Sequence, residues 1–193
     1  MTTEPQAGLP RRRFLRGVLT TCLATATQAL PGPLATPALA RGAGDLRRLK
    51  LANARTDERV DCVFWADGAY IPEALHAIDH ILRDWRRDEV VRIDPDAVEI
   101  LAEVQRRLDC AEAFEVVSGY RSPATNAWLR RRRRGVARNS YHTRGMAVDV
   151  TMRTRSIAQI ARAGLALGQG GVGRYTRSHF VHLDSGPVRR WGR

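Results

Sequence analysis

Hydrophobic positions change period several times along the chain, and each change predicts an element. Arg59-Val60-Asp61-Cys62-Val63-Phe64-Trp65 alternates apolar and polar residues, Asp67-Gly68 marks a turn, and Ala69-Tyr70-Ile71 follows, which predicts a β-hairpin. Leu75, Ile78, Ile81, Leu82 and Trp85 then recur at helical spacing and predict an amphipathic helix over about 73–87. Asp94-Pro95 supplies an N-cap and a first helical residue for a second helix through Leu108. Phe114–Ser118 is a short strand ending in Gly119-Tyr120-Arg121, and Ser122-Pro123 opens a helix over about 123–134. Met146, Val148 and Val150 alternate with Ala147, Asp149 and Thr151, so Asp149 points away from the aliphatic side of its strand. Ser156 caps a small-residue helix to about Leu167, and Gly168–Gly173 reads as a loop. In a last strand over 180–184, Val181 and Leu183 share one face while His182 and Asp184 share the other. There is no internal repeat and no sign of a second domain. This order of elements predicts an α+β single domain with a central, mainly antiparallel sheet flanked by helices.

The first forty residues stand outside that pattern. Arg11-Arg12-Arg13-Phe14-Leu15, a mildly apolar stretch over Val18–Leu30, and Ala38-Leu39-Ala40 read as a twin-arginine export signal with its cleavage site. The apolar run is too short and too interrupted to be a membrane span, so no stable membrane anchor is expected after cleavage. Cys22 would leave with the signal. Residues 41–57 are polar and Arg-rich and are expected to be a loosely held lead-in, with the domain proper over 58–193. Removing Arg11, Arg12, Arg13, Arg16 and Glu4 lowers the formal charge from +12 to +9, and Lys50 is the only lysine. Such an arginine excess suits an anionic partner; for a periplasmic protein that is cell-wall polymer, not nucleic acid. Cys62 and Cys110 remain after export and fit either one disulfide or two buried thiols. A monomer is expected, since nothing points to an obligate assembly.

The chemistry concentrates in two segments, Ser140-Tyr141-His142-Thr143-Arg144-Gly145-Met146-Ala147-Val148-Asp149 and His179-Phe180-Val181-His182-Leu183-Asp184, which hold three of the five histidines. His and Asp side chains on the polar faces of two strands are the N and O donors of a hydrolytic zinc site, in which three protein ligands leave a fourth position for water. His76 and His80, one turn apart on the first helix, read instead as a solvated face. The Arg130–Arg134 run reads as a solvated helix end that complements the helix dipole and loosely attracts wall polymer.

Ser118-Gly119-Tyr120-Arg121-Ser122-Pro123, Ser140-Tyr141-His142 with Gly145 and Asp149, and Phe180-Val181-His182-Leu183-Asp184 resemble the YcbK-like (MepK-like) murein endopeptidases. These lie within the D-alanyl-D-alanine zinc peptidases related to lysostaphin and the hedgehog fold. The resemblance runs from about Val60 to Trp191 and takes in Asn126 and the closing Val188-Arg189-Arg190-Trp191. It implies zinc held by His142, Asp149 and His182, and the peptide stems of peptidoglycan as substrate. It also implies that Arg121 points into the cleft to stabilise an oxyanion, and that Ser140 lies where related peptidases bind the substrate peptide. For Arg121 a buried ion pair is the alternative. His179 stands where the wider group often carries a Glu general base; imidazole chemistry fits that task, but reaching the metal needs an irregular strand start. Asp184 either orients His182 from behind the metal or caps its strand. A non-catalytic zinc-stabilised binding module and a D,D- or L,D-carboxypeptidase remain open, as does the choice between D-alanyl-to-diaminopimelate and diaminopimelate-to-diaminopimelate crosslinks.

Overall fold

The computed structural model describes residues 45–133 and 135–192; the export signal, with Cys22, and Arg134 lie outside the described residues. The described strands are β1 (Arg47–Asn53), β2 (Glu58–Ala66), β3 (Ala69–Tyr70), β4 (Phe114–Ser118), β5 (Ala147–Thr151), β6 (Gly171–Tyr175), β7 (Phe180–Asp184) and β8 (Arg189–Gly192). Four helices accompany them: α1 (Pro72–Ile81), α2 (Pro95–Arg107), α3 (Pro123–Arg132) and α4 (Ile157–Leu165). All eight strands join one sheet in the order β3-β2-β1-β4-β5-β7-β6-β8. The β1–β4 and β6–β8 pairings are parallel and the others antiparallel, so the domain is α+β with a mixed, mainly antiparallel sheet.

Alternation explains the core. Leu49, Leu51, Phe64, Phe114, Val116, Val148, Val150, Val172, Val181 and Leu183 are buried together. The same cluster takes in Ile78 and Ile81 of α1, Val98, Leu101 and Val104 of α2, and Ile160 of α4. Burying each such side chain contributes about 1.5–3 kcal/mol. α2 begins where Asp94 accepts a hydrogen bond from the Asp96 amide, and α3 where Ser122 accepts from Thr125. Ser156 and Gln159 form a reciprocal capping box on α4.

Three sequence expectations need correction. The lead-in is not loose throughout: β1 occupies Arg47–Asn53 and lies between β2 and β4, with Leu49 and Leu51 fully buried. α1 ends at Ile81 instead of continuing to residue 87. There the Leu82 carbonyl accepts the Tyr120 amide (2.7 Å), and the Asp84 carboxylate accepts the amides of Ser122 (2.9 Å) and Arg86 (3.2 Å). These bonds draw the chain away from the helix axis and onto the β4–α3 turn. Finally, Gly171–Gly173 is not loop but the start of β6. Glycine is there for want of space: a Cβ on Gly171 would lie 2.5 Å from the Asp184 carboxylate, and one on Gly173 2.5 Å from the Trp191 ring.

Candidate metal centre

Asp149 and His182 face each other directly across the antiparallel β5–β7 pair. His142 comes from a short 3-10 turn, Tyr141–Arg144, that precedes β5. Gly145 ends this turn in the left-handed region (φ 70°), where a β-carbon would lie 2.7 Å from the Arg92 carbonyl oxygen. Its own carbonyl accepts the Asp94 amide at 3.0 Å, which ties the turn to the start of α2.

Three donor atoms converge. His142 Nε2 lies 3.2 Å from Asp149 Oδ1 and 3.2 Å from His182 Nδ1, and the last two are 2.8 Å apart. A tetrahedral zinc about 2.0–2.1 Å from each ligand separates them by roughly 3.3 Å, so the triangle has the size the ion requires. The outer ring nitrogens assign the tautomers. His142 Nδ1 donates to the Gly119 carbonyl (2.8 Å) and His182 Nε2 to Asp184 Oδ2 (2.9 Å). In its neutral form each ring turns a lone pair toward the carboxylate, and two lone pairs beside a carboxylate would suit a cation between them. Among the described residues these three form the one group of metal-binding size, and all three are buried.

Electrostatics treat the two rings differently. Burial pushes the His142 pKa down and keeps the ring neutral. Burial opposes the Asp149 carboxylate, but the charges and hydrogen bonds of His142 and His182 outweigh it and hold that carboxyl well below the usual range. For His182, burial is outweighed by its bonds to Asp149 and Asp184, and its pKa is raised, so without a cation a proton on Nδ1 is favoured and a metal would have to displace it.

Around the triangle stand two arginine–carboxylate pairs. Arg121 donates from Nη2 to Asp149 Oδ2 (2.5 Å) and from Nε to Ser118 Oγ (2.8 Å), forming the ion pair that was the alternative to an oxyanion role. Asp184 is fully buried and also accepts from both terminal nitrogens of Arg189 (3.0 and 2.7 Å) and from the amides of Gly171 and Gly186. Arg189 lies between the rings of Tyr141 and Trp191, each centred 4.9 Å from its guanidinium carbon. Trp191 in turn approaches the His182 ring at 5.2 Å. Ser140 is buried ahead of the 3-10 turn, and its carbonyl accepts from the Thr143 amide (3.0 Å) and hydroxyl (2.7 Å).

His179 stands apart. It is exposed in the β6–β7 turn with φ 56°, so the strand start is irregular, but no hydrogen bond joins it to the triangle among the described residues. His76 and His80 are exposed on α1, and Cys62 and Cys110 are unpaired thiols. Sequence reasoning missed the Gly119 carbonyl and the Arg189 clamp. Arg189 carried no signal of its role, because it reaches Asp184 only through the parallel pairing of β8 with β6.

Comparison with known proteins gives the chain's family. The family described as peptidoglycan L,D-endopeptidase MepK matches residues 41–191. The peptidoglycan L,D-endopeptidase MepK of Escherichia coli (strain K12) is 41% identical over 145 residues, covering 75% of this chain and 80% of that protein. A probable peptidoglycan L,D-endopeptidase MepK of Haemophilus influenzae is 38% identical over 146 residues, covering 75% of this chain and 78% of its own. With nearly all of 41–193 matched, the chain belongs to the peptidoglycan L,D-endopeptidase MepK family.

Proposed function

We propose that this chain is a zinc-dependent murein endopeptidase that acts in the periplasm as a monomer and cuts peptide crosslinks of peptidoglycan. The observation that carries the reading is the buried triangle of His142 Nε2, Asp149 Oδ1 and His182 Nδ1. The names of its relatives supply the bond type. Diaminopimelate has one L and one D centre, so an L,D bond selects the diaminopimelate-to-diaminopimelate crosslink over the D-alanyl one. On this reading the domain is one of the zinc peptidases related to lysostaphin and the hedgehog fold.

Zinc held in the triangle supplies a Lewis acid for the scissile carbonyl and a water whose pKa is lowered toward neutrality. The chain's own residues do the rest. Arg121 fixes the Asp149 carboxylate through its Nη2, and on this reading its Nη1, with no partner among the described residues, donates to the oxyanion that develops. Asp184, clamped by Arg189, holds the proton on His182 Nε2 and so leaves Nδ1 as donor atom. On this reading His179, the imidazole in the β6–β7 turn, takes the proton of the attacking water and returns it to the leaving amine. The hydroxyl goes to the carbonyl carbon as the C–N bond breaks. Ser140 contributes its hydroxyl to binding the substrate peptide, its carbonyl being already engaged.

The test is digestion of purified crosslinked muropeptides with and without a zinc chelator, read by mass spectrometry. Dimers should fall to monomers only without chelator, with fragment masses placing the cut between two diaminopimelates. Dimers that survive with zinc bound to the protein refute the reading.

A further inference from the structure

A ladder of arginines and tryptophans, joined through Leu82 and Asp84 to the turn that carries Arg121, takes no part in the chemistry above. Arg55, in the β1–β2 turn, and Arg86, after α1, place their guanidinium carbons 5.3 and 4.2 Å from the Trp85 ring centre. Arg86 is also 5.9 Å from the ring of Trp128 on α3, and Arg132 is 4.4 Å from that same ring. Elsewhere in the domain Arg47, Arg48, Arg83, Arg106 and Arg121 are paired with carboxylates. Among the described residues no carboxylate lies within ion-pair distance of Arg55, Arg86 or Arg132. Partial burial and the charges of Arg55, Arg121 and Arg133 outweigh Asp84 and hold the Arg86 pKa below its usual value.

The ladder is fastened to the catalytic side. Leu82 and Asp84 bind the amides of Tyr120 and Ser122, on either side of Arg121, and Arg121 reaches Asp149. An indole face attracts a guanidinium without neutralising it. It holds the cation flat and leaves the in-plane N–H fork open, which is the geometry that receives a carboxylate through two hydrogen bonds. The Trp85 N–H is buried without an acceptor among the described residues, so that ring contributes its faces to the ladder. Crosslinked peptide stems carry free carboxylates on both sides of the bond to be cut.

We propose that Arg55, Arg86 and Arg132, held by Trp85 and Trp128, form a subsite for the stem carboxylates of the crosslinked substrate and set where the peptide lies relative to the metal. The proposal rests on the peptidoglycan reading above and adds to it a determinant of substrate binding.

The test is steady-state kinetics on crosslinked muropeptides with free and with amidated carboxylates, using the full protein, Arg86→Gln, Arg86→Lys and, as a control for bulk charge, Arg162→Gln on the exposed side of α4. On the free-carboxylate substrate, Arg86→Gln should raise KM about tenfold with kcat held within about twofold. Arg86→Lys, which keeps the charge without the fork, should fall between Arg86→Gln and the parent, and Arg162→Gln should change nothing. Amidation should raise the parent's KM and remove the difference between it and Arg86→Gln. Three results would overturn the subsite while leaving the peptidase reading intact: an unchanged KM for Arg86→Gln, a loss that persists on the amidated substrate, or an equal loss in Arg162→Gln. A parent protein that cleaves neither substrate overturns both.

Discussion

Along β7 the two faces of the sheet diverge residue by residue. Val181 and Leu183 turn toward α2 and α4 and join the aliphatic core, while His182 and Asp184 turn the other way into a buried polar cluster. Both faces are buried, but for opposite reasons. The helix-covered face gains from removing apolar surface from water. The metal face buries Asp149 and Asp184, which is unfavourable unless every charge finds a partner, and Arg121, Arg189 and the two imidazoles supply those partners. One face is held by shape and volume, the other by a specified set of bonds. The first tolerates replacement of like by like; the second does not.

Substitutions on the two faces should separate stability from chemistry. The largest effect is expected from Asp149→Ala, which removes a proposed ligand and leaves Arg121 beside two imidazoles: zinc content and muropeptide cleavage should both fall to background. Leu183→Ala, one strand position away in register and therefore on the other face, should destabilise the fold by about 2–5 kcal/mol while turnover per folded molecule is kept. Chemical denaturation alongside activity normalised to folded protein measures it. Asp184→Asn keeps the shape but loses the charge behind His182, and should weaken zinc affinity or activity about 10–100-fold in a chelator competition.

The smallest effect is the pH response. The His182 pKa is raised in the folded protein above its ordinary 6.5. Its contribution to the metal-free fold is therefore fully present below the ordinary value and is lost as pH rises through the raised one. The same proton competes with zinc for Nδ1, so affinity should decline about tenfold per pH unit below the raised value. The gain in Tm on adding zinc should be larger at pH 8 than at pH 6, and a gain that shrinks with rising pH would contradict the assigned tautomers.

Local signals made much of this legible in the sequence. Alternation placed Asp149 and His182 on the polar faces of their strands, Asp94-Pro95 and Ser122-Pro123 marked two helix starts, and the spacing around His142 drew attention to the three side chains that converge. What escaped depends on partners distant in the chain. β1 alternates Arg48 and Lys50 with buried Leu49 and Leu51, but its charge made the segment look like a tail. β6 was hidden by glycines that make room for Asp184 and Trp191. The early end of α1 and the clamp of Arg189 on Asp184 are set by long-range bonds that no local periodicity encodes. Arg121 and Asp149 were each singled out by local pattern, but their pairing across the 121-to-149 separation was not specified by it.

The central claim is that His142, Asp149 and His182 together hold one zinc ion. Anomalous diffraction at the zinc edge from crystals of the zinc-loaded protein tests it most directly. The account requires a single strong peak about 2.0–2.2 Å from His142 Nε2, Asp149 Oδ1 and His182 Nδ1, with one coordination position left to solvent. A peak bound elsewhere, or none within the triangle while its three side chains keep their places, would contradict it.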